Sequence, residues 1–232
     1  MQTIDQTKAT GLARFTSLVY LYTGLGVAFW MLAANAMARN AAFSNMVMSG
    51  MSKHPFIFSI AILAVSMGFI TMASRAATKS YLLTFISYVF FLAALAIFGL
   101  PIFYLYSAKS IIQTLTVTSV IFIVASVTGF VTKKDLTSWG RTLMIGLVSV
   151  IAVSLINILL FKSSMVALLV NIAVVIVFLF YIAFDAQNIK RIYAQAQNSE
   201  NLGAIALVAS ISLVLDFINI FISLLSIFGD SN

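Results

Sequence analysis

The sequence predicts an all-α, polytopic membrane protein, a bundle of seven transmembrane helices that forms a single integral membrane domain over residues 1–232. Of its 232 residues, 62% are hydrophobic and only 8% are charged. A soluble domain averages about half apolar and about a quarter charged residues. A chain of this size cannot bury so much apolar surface in water, so lipid is the solvent that fits this composition.

The spans follow from the lengths of the apolar runs. A helix needs ~20 apolar residues to cross ~30 Å of hydrocarbon. Seven runs meet this requirement, at about 15–37, 56–73, 81–106, 111–131, 140–161, 165–187 and 203–228. Both prolines, Pro55 and Pro101, lie at or near the ends of runs, which suits uninterrupted helices. The seventh run is longer than a span needs, so we expect its first turns to project from the bilayer.

Orientation follows from the basic residues, which are more frequent on the cytosolic side of membrane proteins. With the N-terminus inside, the inner segments hold nine of them: Lys8, Arg14, Arg75, Lys79, Lys133, Lys134, Arg141, Lys190 and Arg191. The outer segments hold four: Arg39, Lys53, Lys109 and Lys162. We therefore predict a multi-pass protein of the cell membrane with its N-terminus in the cytoplasm and its C-terminus outside.

The first run also has features of a cleaved signal peptide, because Lys8 and Arg14 precede it and Ala36-Met37-Ala38 resembles a cleavage site. Its apolar stretch is longer than a signal peptide needs, and six further spans follow. We therefore predict that the run is retained as the first transmembrane helix.

The composition also excludes several kinds of chemistry. The chain has no cysteine and a single histidine, His54, which rules out thiolate and histidine-based metal sites. His54 lies in an outer loop, where it could not activate an intramembrane serine nucleophile. The last span has no lysine for a retinal Schiff base, and no His-Glu-x-x-His motif is present. The basic residues lie at the ends of the apolar runs and are not clustered in a surface stripe, so we expect no nucleic-acid partner. Because the sites named above are excluded, we also expect no enzyme activity and no cofactor.

Two acidic residues, Asp185 and Asp216, lie inside apolar runs. The other four acids lie in tails or loops: Asp5, Asp135, Glu200 and Asp230. An ionisable side chain within a membrane is costly and normally faces a partner or a water-filled cavity. Asp185 lies near the predicted cytosolic end of the sixth run, where it could also mark only the membrane interface. The central position of Asp216 favours a function in an ion or proton pathway.

Polar residues accompany both aspartates at helical spacing. In the seventh run they form one stripe along one helix face: Ser212, Asp216, Asn219, Ser223 and Ser226. Tyr181 precedes Asp185 by one turn and Asn188 follows it by about one turn. Small polar residues also hold membrane helices together. That structural explanation suits the serines better than it suits a carboxylate.

The two aspartates belong to successive, oppositely directed helices, so they could meet. Two carboxylates in one small site cannot both ionise readily, and they titrate as a unit. A hard divalent cation such as Ca²⁺ prefers oxygen ligands and would compete with the shared proton. We therefore predict a pH sensor and transient cation site at Asp185 and Asp216. Arg75, at the end of the second run, is either a positive-inside anchor or a gating salt bridge to one aspartate.

Three segments resemble the Bax-inhibitor (transmembrane Bax-inhibitor-motif) family and its bacterial branch of YccA, YbhL and YetJ type. One is the stretch LVLDFINIF at residues 213–221, followed by LLSIFG at 224–229. The others are TKKDLTSWG at residues 132–140 and AFDAQNIK at residues 183–190. The resemblance covers nearly the whole chain and is strongest from Ser107 onward. The connection between the two aspartates is somewhat longer here than in the YetJ type.

This resemblance implies seven helices with the last one central, in a bacterial inner membrane. It also implies a pH-sensitive calcium leak built on a di-aspartyl sensor, which Asp185 and Asp216 match by motif. Arg75 is similar in placement to the family's arginine latch. We expect a monomer that passes calcium and protons.

Two other functions remain open from the sequence. In a proton-coupled transporter the same carboxylates would relay protons during alternating access. In a non-conducting modulator of membrane proteases and stress responses, Asp216 would hold helices together.

Overall fold

The structure is a computed structural model that describes the backbone of residues 2–230, and its described side chains begin at Thr10. The side chains of Asp5 and Lys8, which entered the acid count and the orientation prediction, lie outside this part. The described backbone is helical and contains no β-strand. Its helices are α1 (Gln2–Arg39), α2 (Ala41–Lys53), α3 (Pro55–Ala76), α4 (Tyr81–Gly99), α5 (Ile102–Leu105), α6 (Ala108–Val131), α7 (Trp139–Ile156, extended by a π-helical turn, Asn157–Phe161), α8 (Ser164–Ala196) and α9 (Leu202–Phe228).

Seven helical segments of the described chain are long and apolar enough to cross a membrane, which confirms the predicted fold class. They are Thr10–Arg39, Pro55–Ala76, Tyr81–Leu105, Ala108–Val131, Trp139–Phe161, Ser164–Ala196 and Leu202–Phe228. Their outer faces carry large apolar side chains. On α7, for example, Met144, Ile145 and Val148 are 57–58% exposed. Lipid is the environment that such surfaces need.

The sequence did not predict α2, which lies between the first two predicted spans. Its first turn is capped by Asn40, whose side chain accepts a hydrogen bond from the Phe43 backbone N–H at 3.0 Å. With 13 residues the helix is about 20 Å long, which is too short to span the hydrocarbon. The connection between the first two spans is therefore helical without adding a span.

The third span is interrupted near its end. α4 ends at Gly99 and helical structure resumes at Ile102. Pro101 explains the break, because proline has no N–H to donate to a carbonyl of the preceding turn. Gly99 lies against Trp30 of α1, since a Cβ atom there would stand 2.7 Å from the Trp30 ring atom Cζ2. The Trp30 indole N–H donates to the Leu95 carbonyl at 3.2 Å.

The chain divides into two compact units. The first unit holds the residues up to Leu105 together with Ile192–Val214, and the second holds Tyr106–Arg191 together with the residues from Leu215 onward. The division falls within α9, between Val214 and Leu215. That the whole chain behaves as one integral membrane domain stays a prediction.

In the first unit α4 packs against both α1 and α3. Its central contact is Tyr88, which is 4% exposed. The Tyr88 hydroxyl donates to the Tyr22 carbonyl of α1 at 3.0 Å and lies 3.3 Å from Oγ of Ser210 on α9. Gly26 permits this approach, because a Cβ atom there would stand 2.2 Å from the Tyr88 hydroxyl oxygen.

In the second unit α6 contacts both α8 and α9. Phe122 of α6 meets Phe217 of α9 edge-on, with ring centroids 5.6 Å apart. At the far end of α9, the Asp230 backbone N–H donates to Oγ of Ser110 at 3.0 Å. Its carbonyl accepts from the Ser107 N–H at 3.2 Å. These contacts define the antiparallel register of α6 and α9 between Ser107 and Phe122.

The turn between α7 and α8 is closed by Asn157, which is buried. Its amide group donates to the Ser163 carbonyl at 3.1 Å and accepts from the Ser163 N–H at 3.0 Å. Lys162 takes the left-handed conformation, with φ of 49°. This arrangement satisfies backbone groups that a helix end would otherwise leave unpaired.

α9 is the most buried of the seven spans. In its most apolar stretch 61% of the residues are buried, against 39% for the next highest span, Tyr81–Leu105. A helix that is apolar on all sides must be covered by other helices or by lipid. Its burial agrees with the predicted central place of the last helix.

Candidate functional site

The structure brings Asp185 of α8 and Asp216 of α9 together in the second unit. The two carboxyl groups share a hydrogen bond and interact electrostatically. On α8, Ile182, Ala186 and Ile189 are buried at helical spacing, which turns the adjacent Asp185 toward the packed side of the helix. Asp185 is half-buried. The meeting of the two acids that the sequence suggested is therefore present in the structure.

The lengths of the two helices explain how the aspartates meet. α8 continues to Ala196, past the predicted end of the sixth span near residue 187, so Asp185 lies in the helix interior. It stands 11 residues before the end of α8, while Asp216 stands 14 residues after the start of α9 at Leu202. At 1.5 Å per residue these arms measure about 16 and 21 Å. Helical propagation through residues 188–196 therefore allows both carboxyls to reach a similar depth.

Asp216 is more deeply buried than Asp185. Its side chain is 4% exposed, and its Oδ2 atom is buried with no hydrogen-bond partner among the described residues. A hydrogen bond between two carboxyl groups requires a proton on one of them, because an ionised carboxylate only accepts. A carboxyl pair joined in this way therefore needs one proton, and Oδ2 of Asp216 accepts no hydrogen bond from the described residues.

Tyr181 is the aromatic neighbour of the pair. It precedes Asp185 by one helical turn and interacts electrostatically with both aspartates. Its ring also packs on Phe178, with centroids 5.6 Å apart. The phenol thus places one polar hydroxyl beside an otherwise apolar surface. The sequence indicated this neighbour through its spacing from Asp185.

The predicted polar stripe on α9 lies on one continuous helix. Ser212 donates to the Ala209 carbonyl at 3.4 Å, and Asn219 donates to the Leu215 carbonyl at 2.7 Å. Ser226 donates to the Ile222 carbonyl at 2.9 Å. Ser223 is 4% exposed. Three of these side chains thus bond to the backbone of their own helix, which lowers the cost of placing polar groups in an apolar segment. Their support of the aspartates stays a prediction.

Asn188 has a partner that the sequence did not indicate. Its amide oxygen accepts from Nε and Nη2 of Arg191, at 2.9 and 2.7 Å. The Nη1 atom of Arg191 donates to the Thr137 hydroxyl at 3.1 Å. Asn188 therefore positions an arginine, and its predicted role beside the aspartates is untested.

Gln187 is a structural residue that the sequence analysis missed. Its side chain accepts from the Leu136 N–H at 2.8 Å and donates to the Thr132 and Lys134 carbonyls at 3.3 and 2.9 Å. These three bonds tie the connection between α6 and α7 to α8, two residues after Asp185. Its only sequence signal was its place in the AFDAQNIK segment.

Gly129 marks a close approach of α6 to α8. A Cβ atom at this position would stand 2.1 Å from the Ala183 carbonyl oxygen, which lies two residues before Asp185. No local pattern in the sequence singles out this glycine. The backbone contact fixes α8 where it carries the candidate sensor.

Asp135 is an exposed acid in the connection between α6 and α7. The hydroxyl and backbone N–H of Thr137 both bond to its carboxylate, the N–H at 2.9 Å. These bonds, with a smaller coulombic contribution from Arg191, hold the pKa of Asp135 below its ordinary value. The group is therefore ionised throughout the neutral range.

Arg75 lies at the end of α3 in the first unit, where its side chain is exposed. It lines an open cavity with Thr71, Met72 and Lys79. Its pairing with an aspartate stays a prediction. Within the described part of the chain, no group of three or more His, Asp or Glu side chains could hold a metal ion.

Comparisons with known proteins agree with this architecture. The family model described as inhibitor of apoptosis-promoting Bax1 matches residues 12–232. An uncharacterised membrane protein of Streptococcus pyogenes serotype M3 is 33% identical over 222 residues, which cover 94% of this chain and 93% of that protein. The inner membrane protein YbhL of Escherichia coli K12 is 30% identical over 225 residues, which cover 95% of this chain and 93% of YbhL.

The match spans all seven membrane segments and includes both aspartates. The chain belongs to the Bax inhibitor family of membrane proteins.

Proposed function

We propose that this protein is a proton-sensitive cation pathway, with Ca²⁺ as its main ion and with Asp185 and Asp216 as the proton sensor. The observation that carries the proposal is the hydrogen-bonded carboxyl pair, in which Asp216 is 4% exposed and has one oxygen without a partner among the described residues. A carboxyl group inside a membrane is costly and marks ion and proton pathways. Membrane localisation of YbhL supports a cell-membrane, inner-membrane placement.

The chemistry of the pair connects protons with cations. With one proton the two groups form a hydrogen bond, and with none they place two like charges side by side. A hard divalent cation with oxygen ligands relieves that repulsion. Protons and Ca²⁺ therefore compete for the same oxygens, so this competition alone predicts that Ca²⁺ flux rises as pH rises.

Arg75 supplies a second, separable element of the proposal. As a latch it would bind an ionised aspartate and release it on protonation, which predicts flux that rises as pH falls. The sign of the pH dependence therefore distinguishes competition from latching. Arg75→Gln should remove the pH dependence only if the latch operates.

The test is Ca²⁺ flux into liposomes that contain the purified protein, measured between pH 5 and 8. We expect wild-type flux to change with pH by at most about tenfold per unit, which is the limit for titration by one proton. Asp185→Asn and Asp216→Asn should each weaken the pH dependence of the flux, because each replaces one of the two titrating carboxyl groups with an amide. Asp230→Asn is the matched control, since it makes the same change at an exposed site, and its pH profile should equal that of the wild type.

The other outcomes point to other functions. Absence of flux, with a folded protein, would contradict the proposal and favour a non-conducting modulator of membrane proteases. Saturable flux that requires a proton gradient would indicate a proton-coupled transporter instead. A pH profile that neither aspartate substitution changes would remove both residues from the sensor.

The proposal includes an orientation, with the N-terminus in the cytoplasm and the C-terminus outside, and a monomeric protein without enzyme activity. Because the natural chain has no cysteine, single substitutions report the orientation cleanly. An impermeant maleimide added to intact cells should label Ser52→Cys and should not label Asn198→Cys. The reverse pattern would overturn the orientation.

A further inference from the structure

A polar cavity of about 440 Å³ lies in the second unit, where α6 ends and α7 begins. Part of its wall is the connection that Gln187 ties to α8, and the rest is the side of α8 that follows Asp185. Its charged lining consists of three cations, Lys133, Lys190 and Arg191, and one carboxylate, Asp135. The cavity therefore has an excess of positive charge, which the proposed cation pathway does not use.

The guanidinium group of Arg191 is oriented by hydrogen bonds to Asn188 and Thr137. Three of its five N–H groups are engaged, two by the Asn188 oxygen and one by the Thr137 hydroxyl. The other two N–H groups, one on Nη1 and one on Nη2, have no hydrogen-bond partner among the described residues and can donate to phosphate oxygens. Because its partners already fix the guanidinium plane, little side-chain entropy remains to be lost on binding.

The two lysines complement this arginine. The Lys190 ammonium group donates to the Phe130 carbonyl and lies 4.4 Å from the centre of the Phe130 ring. It is thereby anchored at the cavity with N–H groups to spare, since an ammonium has three. Lys133 is exposed. Asp135 offsets only part of this charge, because its carboxylate is bonded by Thr137.

The surroundings favour a ligand that belongs to the membrane. Lys134 stands 5.6 Å from the ring centre of Trp139, and Trp139 begins α7. Tryptophan and basic residues at the end of a span are typical of the headgroup level. Farther along α7 the side chains of Met144 and Ile145 are exposed and apolar. A ligand with a phosphate group and acyl chains would match both the cavity and this adjoining surface.

We propose that this cavity binds a phosphate group, with Arg191 as the bidentate ligand and Lys133 and Lys190 as charge partners. Basic pockets at the ends of spans bind anionic lipid headgroups in this way. The source of the phosphate group is either an anionic phospholipid or free inorganic phosphate. The inference is independent of the proposed cation flux.

The test compares binding of phosphatidylglycerol, phosphatidylcholine and inorganic phosphate to the purified full-length protein in neutral detergent. Native mass spectrometry counts bound lipids, and calorimetry measures affinity for phosphate. We expect the wild type to prefer phosphatidylglycerol over phosphatidylcholine. Lys133→Gln and Arg191→Gln should each weaken that binding about fivefold, and added salt should weaken it further.

Lys109→Gln is the matched control, because it removes one exposed cation at the other end of α6 and should leave lipid binding unchanged. Should Arg191→Gln fail to fold, the exposed Lys133→Gln still provides the test. Binding of inorganic phosphate without phosphatidylglycerol would assign the site to free phosphate. Equal binding of both lipids with no phosphate binding, or equal losses in the control and the cavity variants, would overturn the proposal.

Discussion

Two buried polar groups on α9 contrast in how their hydrogen bonds are satisfied. Ser210, in the first unit, is fully buried, donates to the Leu207 carbonyl at 2.7 Å and lies 3.3 Å from the Tyr88 hydroxyl. Asp216, in the second unit, is 4% exposed and bonds to Asp185, yet its Oδ2 atom has no partner among the described residues. Only six residues separate Ser210 from Asp216.

The difference in hydrogen bonding between Ser210 and Asp216 distinguishes a structural polar group from a candidate functional one. A neutral network whose groups are paired adds stability and rigidity to a packed interior. A carboxyl group with an unpaired oxygen reduces stability, because desolvation of that oxygen is not compensated. Helix packing is a sufficient explanation for the paired hydroxyl of Ser210. Asp216 calls for a function that needs a titratable group at that place, which is the argument for the proposed sensor.

The largest effect is expected from packing beside the sensor. Gly129→Ala should destabilise the protein by about 3 kcal/mol, because its Cβ would meet the Ala183 backbone, which cannot move aside. Gly26→Ala should cost about 1.5 kcal/mol, since it meets the Tyr88 side chain, which can shift and lose a hydrogen bond. Thermal unfolding in detergent measures both.

Gly68→Ala is the control for these two substitutions, because no atom lies within 4 Å of a Cβ atom at that site. It should be neutral or stabilise α3 by about 0.5 kcal/mol through helix propensity. A cost for Gly129→Ala as small as that of the control would contradict the close approach of α6 and α8.

Tyr88→Phe should have an intermediate effect. It removes the bond to the Tyr22 carbonyl and the contact with Ser210, so stability should fall by about 1 kcal/mol. The loss should be the same at pH 5 and pH 8, as expected for a neutral structural network. Tyr81→Phe removes an exposed hydroxyl contact and should cost less than about 0.5 kcal/mol. Chemical unfolding at both pH values provides the comparison.

Asp216→Asn should change stability by less than about 1 kcal/mol while it weakens the pH dependence of flux. Asparagine is neutral, has nearly the same shape and can donate a hydrogen bond to Asp185. The substitution also removes the cost of a buried ionisable group. The same unfolding series tests it. A loss greater than that of Tyr88→Phe would identify Asp216 as a residue that holds helices together.

The smallest effect is expected at the exposed acid Asp135. Its folded-state pKa is lowered, so its contribution to docking of residues 132–138 is present above the unfolded pKa and is lost as pH falls through the folded pKa. Between pH 5 and 8 the docking should therefore stay constant. Amide exchange of this segment, corrected for intrinsic rates, should rise only below about pH 4. Asp135→Asn should show faster exchange at neutral pH and no such rise.

The sequence predicted the parts of this protein that depend on local composition. Seven spans are visible because hydrophobic length alone decides whether a helix crosses the bilayer. Asp185 and Asp216 stand out because a carboxyl group in an apolar run is costly wherever the helix lies. Features set by contacts between distant residues were not visible. The bonds of Gln187 and the backbone approach at Gly129 join positions more than 50 residues apart.

Helix ends differ from the ends of the apolar runs for a related reason. The sequence analysis ended the sixth span where polar residues began, but α8 continues through them to Ala196. Water and polar partners can cover a polar helix that projects from a membrane, so hydropathy marks the end of the apolar stretch and not the end of the helix. The missed helix α2 follows the same logic, because its first turn depends on the Asn40 cap rather than on hydropathy.

By itself the sequence determined the solvent of this protein, the number of spans and the two acids that the membrane makes costly. These follow from transfer free energies, which each residue contributes nearly independently. Only the tertiary structure decided that Asp185 and Asp216 share a hydrogen bond. It also decided that Asn188, the predicted neighbour of the aspartates, accepts from Arg191, which lines the basic cavity. Such pairings depend on helix length and depth, which are set by packing between segments that are distant in the chain.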